Sequence, residues 1–202
     1  MDDGEEVKVL QEIRWHGRGG NGAFTAAKLL GMAAALYEGK SAQAFPSFGP
    51  ERRGAPVVGF TRIAEENITD HSQIYDCDCI VVLDETLCGA VDITKGLKQD
   101  GLLIINTAEP ADSFRDRIDF KNVNRLLTID ATRIALEVLK TPIVNTVLLG
   151  AVIGASSIIS LESLDQAIDT MMGETLRGRN KRAARIAYDR ITAKPAEGGA
   201  NG

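Results

Sequence analysis

The sequence predicts an α/β fold, a three-layer α/β/α sandwich built on a mixed, mainly parallel sheet. The runs IVVLD (80–84), GLLIIN (101–106) and RLLTID (125–130) are short, apolar and β-branched, as expected of strands buried on both faces. Segments of helical periodicity alternate with strands, which favours parallel pairing through crossovers. AQAF (42–45) and PVVGFTRI (56–63) flank a loop rich in Pro, Gly and Arg, which adds an antiparallel component and makes the sheet mixed.

Taken in chain order, VLQEIRW (9–15) is the first strand, and GRGGNG (17–22) turns it into the helix AFTAAKLLGMAAAL (23–36). The two antiparallel pieces follow, then the three apolar strands. Asp130 is a helix N-cap for ATRIALEVLK, which stops near Thr141-Pro142 because proline cannot continue the ladder. VNTVLLGAVIGA carries Gly150 and Gly154 at a spacing that lets one helix pack closely on another. Ser160 opens LESLDQAIDTMM, with Leu161, Leu164 and Ile168 on one face. In the last helix, NKRAARIAYDRI, the apolar stripe is Ala184, Ala187, Tyr188 and Ile191, while Lys181, Arg182, Arg185 and Arg190 lie off it. Residues 1–8 and 194–202 read as flexible ends, leaving a single domain over 9–193.

The 202 residues carry a formal net charge of -5, which argues against general nucleic-acid binding. No apolar stretch reaches the ~18 residues of a membrane span and the N-terminus is acidic, so the chain is expected to be cytoplasmic. The three cysteines, Cys77, Cys79 and Cys88, are expected as buried thiols. A cluster-binding array is absent, and zinc would need an outside ligand such as His71.

Gly17, Gly19 and Gly22 match G-x-G-x-x-G between a strand and a helix, a context in which backbone N–H groups hold phosphate. A dinucleotide site also needs an acid about 20 residues on, at the end of a second parallel strand. Glu38 is the nearest acid, and it precedes the AQAF piece. A nucleotide site and a purely structural turn both stay open. In SFGPERRGAP (47–56), the adjacent Arg52 and Arg53 sit on a loop stiffened by Pro46, Pro50 and Pro56, suited to an anionic ligand or to a salt bridge with Glu51 or a partner chain.

Together, WHGRGGNGAFTAAKLLG, QAFPSFGPERRGAPVVGFTRI, VVLDETL, GLLIINT and PIVNTVLLGA resemble the gamma subunits of the 2-oxoacid:ferredoxin (acceptor) oxidoreductases, pyruvate and 2-ketoisovalerate type. The likeness runs from about Ile13 to Tyr188, with departures at Asn21, where Gln is common, and at Cys77-Asp78-Cys79. The resemblance implies a multi-subunit enzyme that decarboxylates a 2-oxoacid oxidatively to acyl-CoA and CO2 and passes electrons to ferredoxin or NAD. It places thiamine diphosphate, Mg2+ and [4Fe-4S] clusters on alpha, beta and delta-type subunits, with coenzyme A as co-substrate. It implies no catalytic residue here. Gly17, Arg18, Gly19, Gly20, Asn21, Gly22, Arg52 and Arg53 become the expected contacts to coenzyme A or to a partner chain. The 2-oxoacid stays open among pyruvate, branched and aryl compounds such as phenylglyoxylate. A stand-alone NAD-binding domain and a non-catalytic scaffold are the competing readings.

Overall fold

The computed structural model describes residues 10–47, 54–114, 116–119 and 123–193. Among these residues six strands form one sheet in the order β2-β3-β1-β4-β5-β6, with β1 Gln11–Arg18, β2 Ser41–Pro46, β3 Pro56–Ala64, β4 Cys77–Val82, β5 Leu97–Asn106 and β6 Arg125–Ile129. β1 runs parallel to β4, β4 to β5 and β5 to β6, while β3 pairs antiparallel with both β1 and β2. The sheet is therefore mixed and mainly parallel, as the sequence predicts.

The helices are α1 Ala23–Tyr37, α2 Ala131–Val138, α3 Asn145–Ser156, α4 Leu161–Met171 and α5 Glu174–Ala193. Asp130 caps α2 by accepting from the Arg133 N–H at 2.8 Å, and Ser160 caps α4 by accepting from Ser163 at 3.1 Å. α5 begins six residues before the segment with clear periodicity, because Gly173 and Gly178 interrupt the sequence signal without stopping the helix. β5 likewise starts at Leu97, ahead of Gly101, through an irregularity opposite Cys77 and Cys79.

The two faces of the sheet are covered differently. Among the described residues, every α-helix contributes to one apolar cluster, which also takes Ile13, Trp15, Val81 and Ile104 from the strands. The other cluster, with Phe60, Ile80, Val82, Leu103 and Ile105, is closed by 3-10 turns at Glu85–Gly89 and Ala111–Phe114 and by loops. On the helical side, α3 meets α5 at very close range. A Cβ on Gly150 would stand 2.0 Å from the Ala184 carbonyl oxygen, and one on Gly154 would stand 3.1 Å from that of Tyr188. The glycine pair thus serves the close packing of α3 on α5.

Two substitutions separate packing from propensity. Gly150→Ala is expected to cost about 3 kcal/mol by driving backbone apart. Gly178→Ala, with nothing within 4 Å of its added methyl, is expected to gain about 0.5–1 kcal/mol. Denaturant midpoints of the two variants should move in opposite directions.

Candidate functional site

β1 ends at the glycine loop because the chain must reverse there and launch α1 across the sheet within a few residues. The Asn21 side chain makes that turn: its Oδ1 accepts from the Arg18 N–H at 2.9 Å, and the Asn21 N–H donates to the Arg18 carbonyl at 3.0 Å. Gly17 cannot carry a side chain, since a Cβ would lie 2.5 Å from Asn21 Oδ1 and 2.9 Å from the Ala23 methyl. Gly20 and Gly22 hold φ of 100° and 85°, a region that side chains disfavour. Gly19 is tied to the start of β3, its N–H donating to Ala55 at 2.9 Å.

Gly22 is the N-cap of α1, and neither a capping side chain nor an acidic residue occupies the first turn. The first-turn N–H groups, which have no capping side chain among the described residues, and the positive end of the helix dipole therefore face a pocket of about 440 Å3. Gly19, Gly20, Phe24, Thr25, Ser47 and Val57 are among its walls, along with Pro46 and Pro56. Asn145, at the start of α3, backs the loop from the other side, with its Nδ2 2.9 Å from where a Gly22 Cβ would be.

Arg18 arrives at this site already engaged. Its Nε meets Asp84 Oδ2 at 3.0 Å, Nη2 donates to Thr86 Oγ1 at 2.7 Å and Nη1 to the Gly54 carbonyl at 3.1 Å. Burial works against the Asp84 carboxylate, yet hydrogen bonds from Thr86 and the Arg18 charge hold its pKa below the ordinary value. The result is a clamp across the crevice between the ends of β1 and β4. One strand further on, Asn106 closes the next crevice, donating to the Leu83 carbonyl and to Thr132 Oγ1, both at 2.9 Å.

The loop's glycines, Arg18 and Asn21 thus come together as the sequence suggests. Arg52 and Arg53 lie outside the described residues. Sequence reasoning missed Asp84, Thr86, Asn106 and Asn145 as parts of the site. Asp84 and Asn106 had one signal, a polar residue directly after an apolar run, and Asn145 opened an apolar helix, whereas Thr86 had none.

The dinucleotide reading loses its geometry here. The strand after α1 is β2, which is an edge strand paired antiparallel with β3 and not laid parallel beside β1. Glu38 sits at the far end of α1, accepting from the Ser160 N–H and pairing with Lys40 at 3.3 Å. His71 Nδ1 faces Gln43 at 3.2 Å, and among the described residues no three His, Cys, Asp or Glu side chains converge to hold a metal. Burial pushes the Cys77 and Cys88 thiols up to about 11 and raises Cys79 as well, so none is a ready thiolate.

The profile of the family described as pyruvate ferredoxin/flavodoxin oxidoreductase matches residues 12–190. The common subunit gamma of the pyruvate/ketoisovalerate oxidoreductases of Pyrococcus furiosus is 51% identical over 180 residues, 89% of this chain and 96% of that one. Pyruvate synthase subunit PorC of Methanocaldococcus jannaschii is 50% identical over 184 residues, 91% and 98% of the two chains. The crystal structure of the pyruvate oxidoreductase subunit PORC of Thermotoga maritima superposes with a TM-score of 0.77 at 39% identity, covering 89% of this chain and 96% of that one. The 2-oxoglutarate:ferredoxin oxidoreductase of Magnetococcus marinus, solved with 2-oxoglutarate, coenzyme A and succinyl-CoA bound, shares the fold at a TM-score of 0.72 and 18% identity. The match covers 94% of this chain and 32% of that one.

His16, immediately before the loop, gives the site a pH dependence. It is 7% exposed and its Nε2 has no partner, and burial, then the neighbouring Arg14, push its pKa down to about 4. The unfolded chain takes up this proton near pH 6.5, so stability is unaffected above that value and is lost as pH falls from about 6.5 to 4, by up to about 3 kcal/mol. His16→Leu should flatten this part of the stability profile, as read from denaturation midpoints at pH 7, 5.5 and 4.5.

Proposed function

The chain belongs to the pyruvate ferredoxin/flavodoxin oxidoreductase family, and from that premise we propose that it is the gamma subunit of a 2-oxoacid oxidoreductase that forms acyl-CoA and CO2. In this reading it helps to enclose coenzyme A beside the active centre built by alpha, beta and delta-type subunits, and the electrons leave through the complex to ferredoxin or NAD. Pyruvate and branched 2-oxoacids such as ketoisovalerate are the substrates favoured by the relatives' names.

The observation that carries the reading is the uncapped start of α1 in the glycine-loop pocket. The backbone N–H groups of that first turn suit phosphate oxygens, and Gly19 and Gly20 leave room for close approach. Phe24, Pro46, Pro56 and Val57 supply apolar walls, as expected where a second chain seals the site. Among the described residues that line the pocket, the ionised side chain is Arg18, which is bound to Asp84. This chain therefore binds, orients and excludes water, and it moves no proton in this proposal.

Thiamine diphosphate with Mg2+ would supply the carbanion chemistry, and [4Fe-4S] clusters the electron path. The buried, protonated thiols and the lack of converging ligands among the described residues do not fit either group, so both are assigned to the other subunits. Arg52 and Arg53 are retained as coenzyme A or interface contacts on the sequence alone.

Thr25→Asp tests the reading with two readouts of opposite sign. A carboxylate in the first turn of α1 should stabilise the isolated chain by about 0.3–1 kcal/mol through the helix dipole. In the reconstituted complex the same charge should raise the KM for coenzyme A several-fold. Arg52→Ala with Arg53→Ala should raise that KM or loosen assembly. Unchanged coenzyme A kinetics and unchanged assembly in all variants would overturn the proposal.

A further inference from the structure

We propose that the outer edge of β2 is a docking strand, which a partner subunit completes with an extended segment carrying one aromatic or long aliphatic side chain. The inference rests on the chain being a subunit of a larger complex, and on nothing about coenzyme A.

The phase of the ladder is set by the Ser47 N–H, which donates to the Val58 carbonyl at 2.7 Å. With Pro46 opposite Gly59 and Phe45 opposite Phe60, alternation turns the N–H and C=O groups of Ser41, Gln43 and Phe45 toward β3. Ala42 and Ala44 therefore turn theirs outward. Pro46 also faces out, a position where its missing N–H costs nothing. Exposed edges are ordinarily blunted by charge, by shortness or by a covering segment. SAQAFP has six residues and no charge. Lys40, just before it, is occupied with Glu38, Glu65 and the Ile158 carbonyl. Such an edge suits a chain whose partner covers it.

Beside this edge lies a cavity of about 360 Å3 that touches each of residues 43 to 47, so it runs along the strand backbone and not only beneath one face. Its floor is aromatic, with the Phe45 and Phe60 rings 5.3 Å apart. The rim is polarised in a fixed sense. Arg62 Nη1 donates to Gln43 Oε1 at 3.2 Å, which leaves Gln43 Nε2 to donate to His71 Nδ1 at 3.2 Å. His71 Nε2 then carries the hydrogen and offers a donor to an incoming carbonyl. Backbone pairing plus a pocket for an alternate side chain is the arrangement by which added strands are recognised. Pro46 and Ser47 also line the glycine-loop pocket, so the edge is continuous with the surface proposed to meet the other subunits.

Residue-resolved hydrogen exchange of the full-length chain, alone and in the purified complex, tests this directly. Alone, the Ala42 and Ala44 amides should exchange rapidly, while Gln43 and Phe45 are protected. In the complex, Ala42 and Ala44 should slow by at least about tenfold. Rapid exchange at both in the complex would overturn the proposal. Protection in the isolated chain would also overturn it, whether it depends on concentration, as for a second copy, or not, as for one of the chain's own ends. Ala44→Pro removes an outward N–H and should weaken subunit association at least about tenfold while leaving the Tm of the isolated chain nearly unchanged. Because the wild-type exchange experiment stands without that variant, a folding defect in it leaves the proposal testable. Intact coenzyme A effects of Thr25→Asp alongside an unprotected edge would reject the docking strand and keep the functional reading.

Discussion

The hydrogen bond from the Arg18 N–H to Asn21 Oδ1 is the contact on which the rest of the arrangement depends. β1 is the strand where the sheet changes direction, antiparallel to β3 on one side and parallel to β4 on the other. The turn after it must place α1 against β3 so tightly that a Cβ on Gly59 would come within 3.2 Å of the Ala23 carbonyl. Asn21 folds back under Gly17 to make this possible, and the glycines at 20 and 22 take the positive φ that follows. The geometry that packs the helix also leaves its first N–H groups pointing at open space. Structure and binding capacity come from one constraint.

The second cover of the sheet has a different physical basis from the helical one. Where helices would ordinarily supply hydrogen-bonded backbone, this side has loops whose carbonyls need partners. Two buried guanidinium groups provide them. Arg14 donates to the Tyr75 carbonyl at 2.8 Å and also reaches those of Ile74 and Lys95. Arg62, 1% exposed, donates to the carbonyls of Asp70 and Ser72 and pairs with Glu12 at 2.9 Å. A planar fork with five donors suits such work better than a lysine ammonium. The cost of burying these charges is offset by their several acceptors, and the loop 65–76 is held where it shapes the cavity beside β2.

Among the described residues, the groups of this chain that could react are held in unreactive forms. Its thiols are buried and protonated, its histidine beside the loop is neutral and its arginine at the pocket is paired. Such a set fits the proposed role of binding and enclosing coenzyme A. An α/β framework with one loop-covered face and one uncharged edge is accordingly read as a component with surfaces meant for other chains.

Much of the molecule was legible in the residues alone. The β-branched runs marked β4, β5 and β6, Asp130 and Ser160 marked helix starts, and Gly150 with Gly154 marked a close helix contact, because each is a local signal of burial, capping or steric room. The order and spacing of the glycine loop and GPERRGAPV carried the family. Tertiary structure alone decided that Arg18 is held by Asp84 and Thr86, that Asn145 backs Gly22, that the described α-helices gather on one face and that β2 lies at an edge. These pairings join residues tens of positions apart. No periodicity records them, since they are selected by which faces pack together and not by the conformational preference of any one segment.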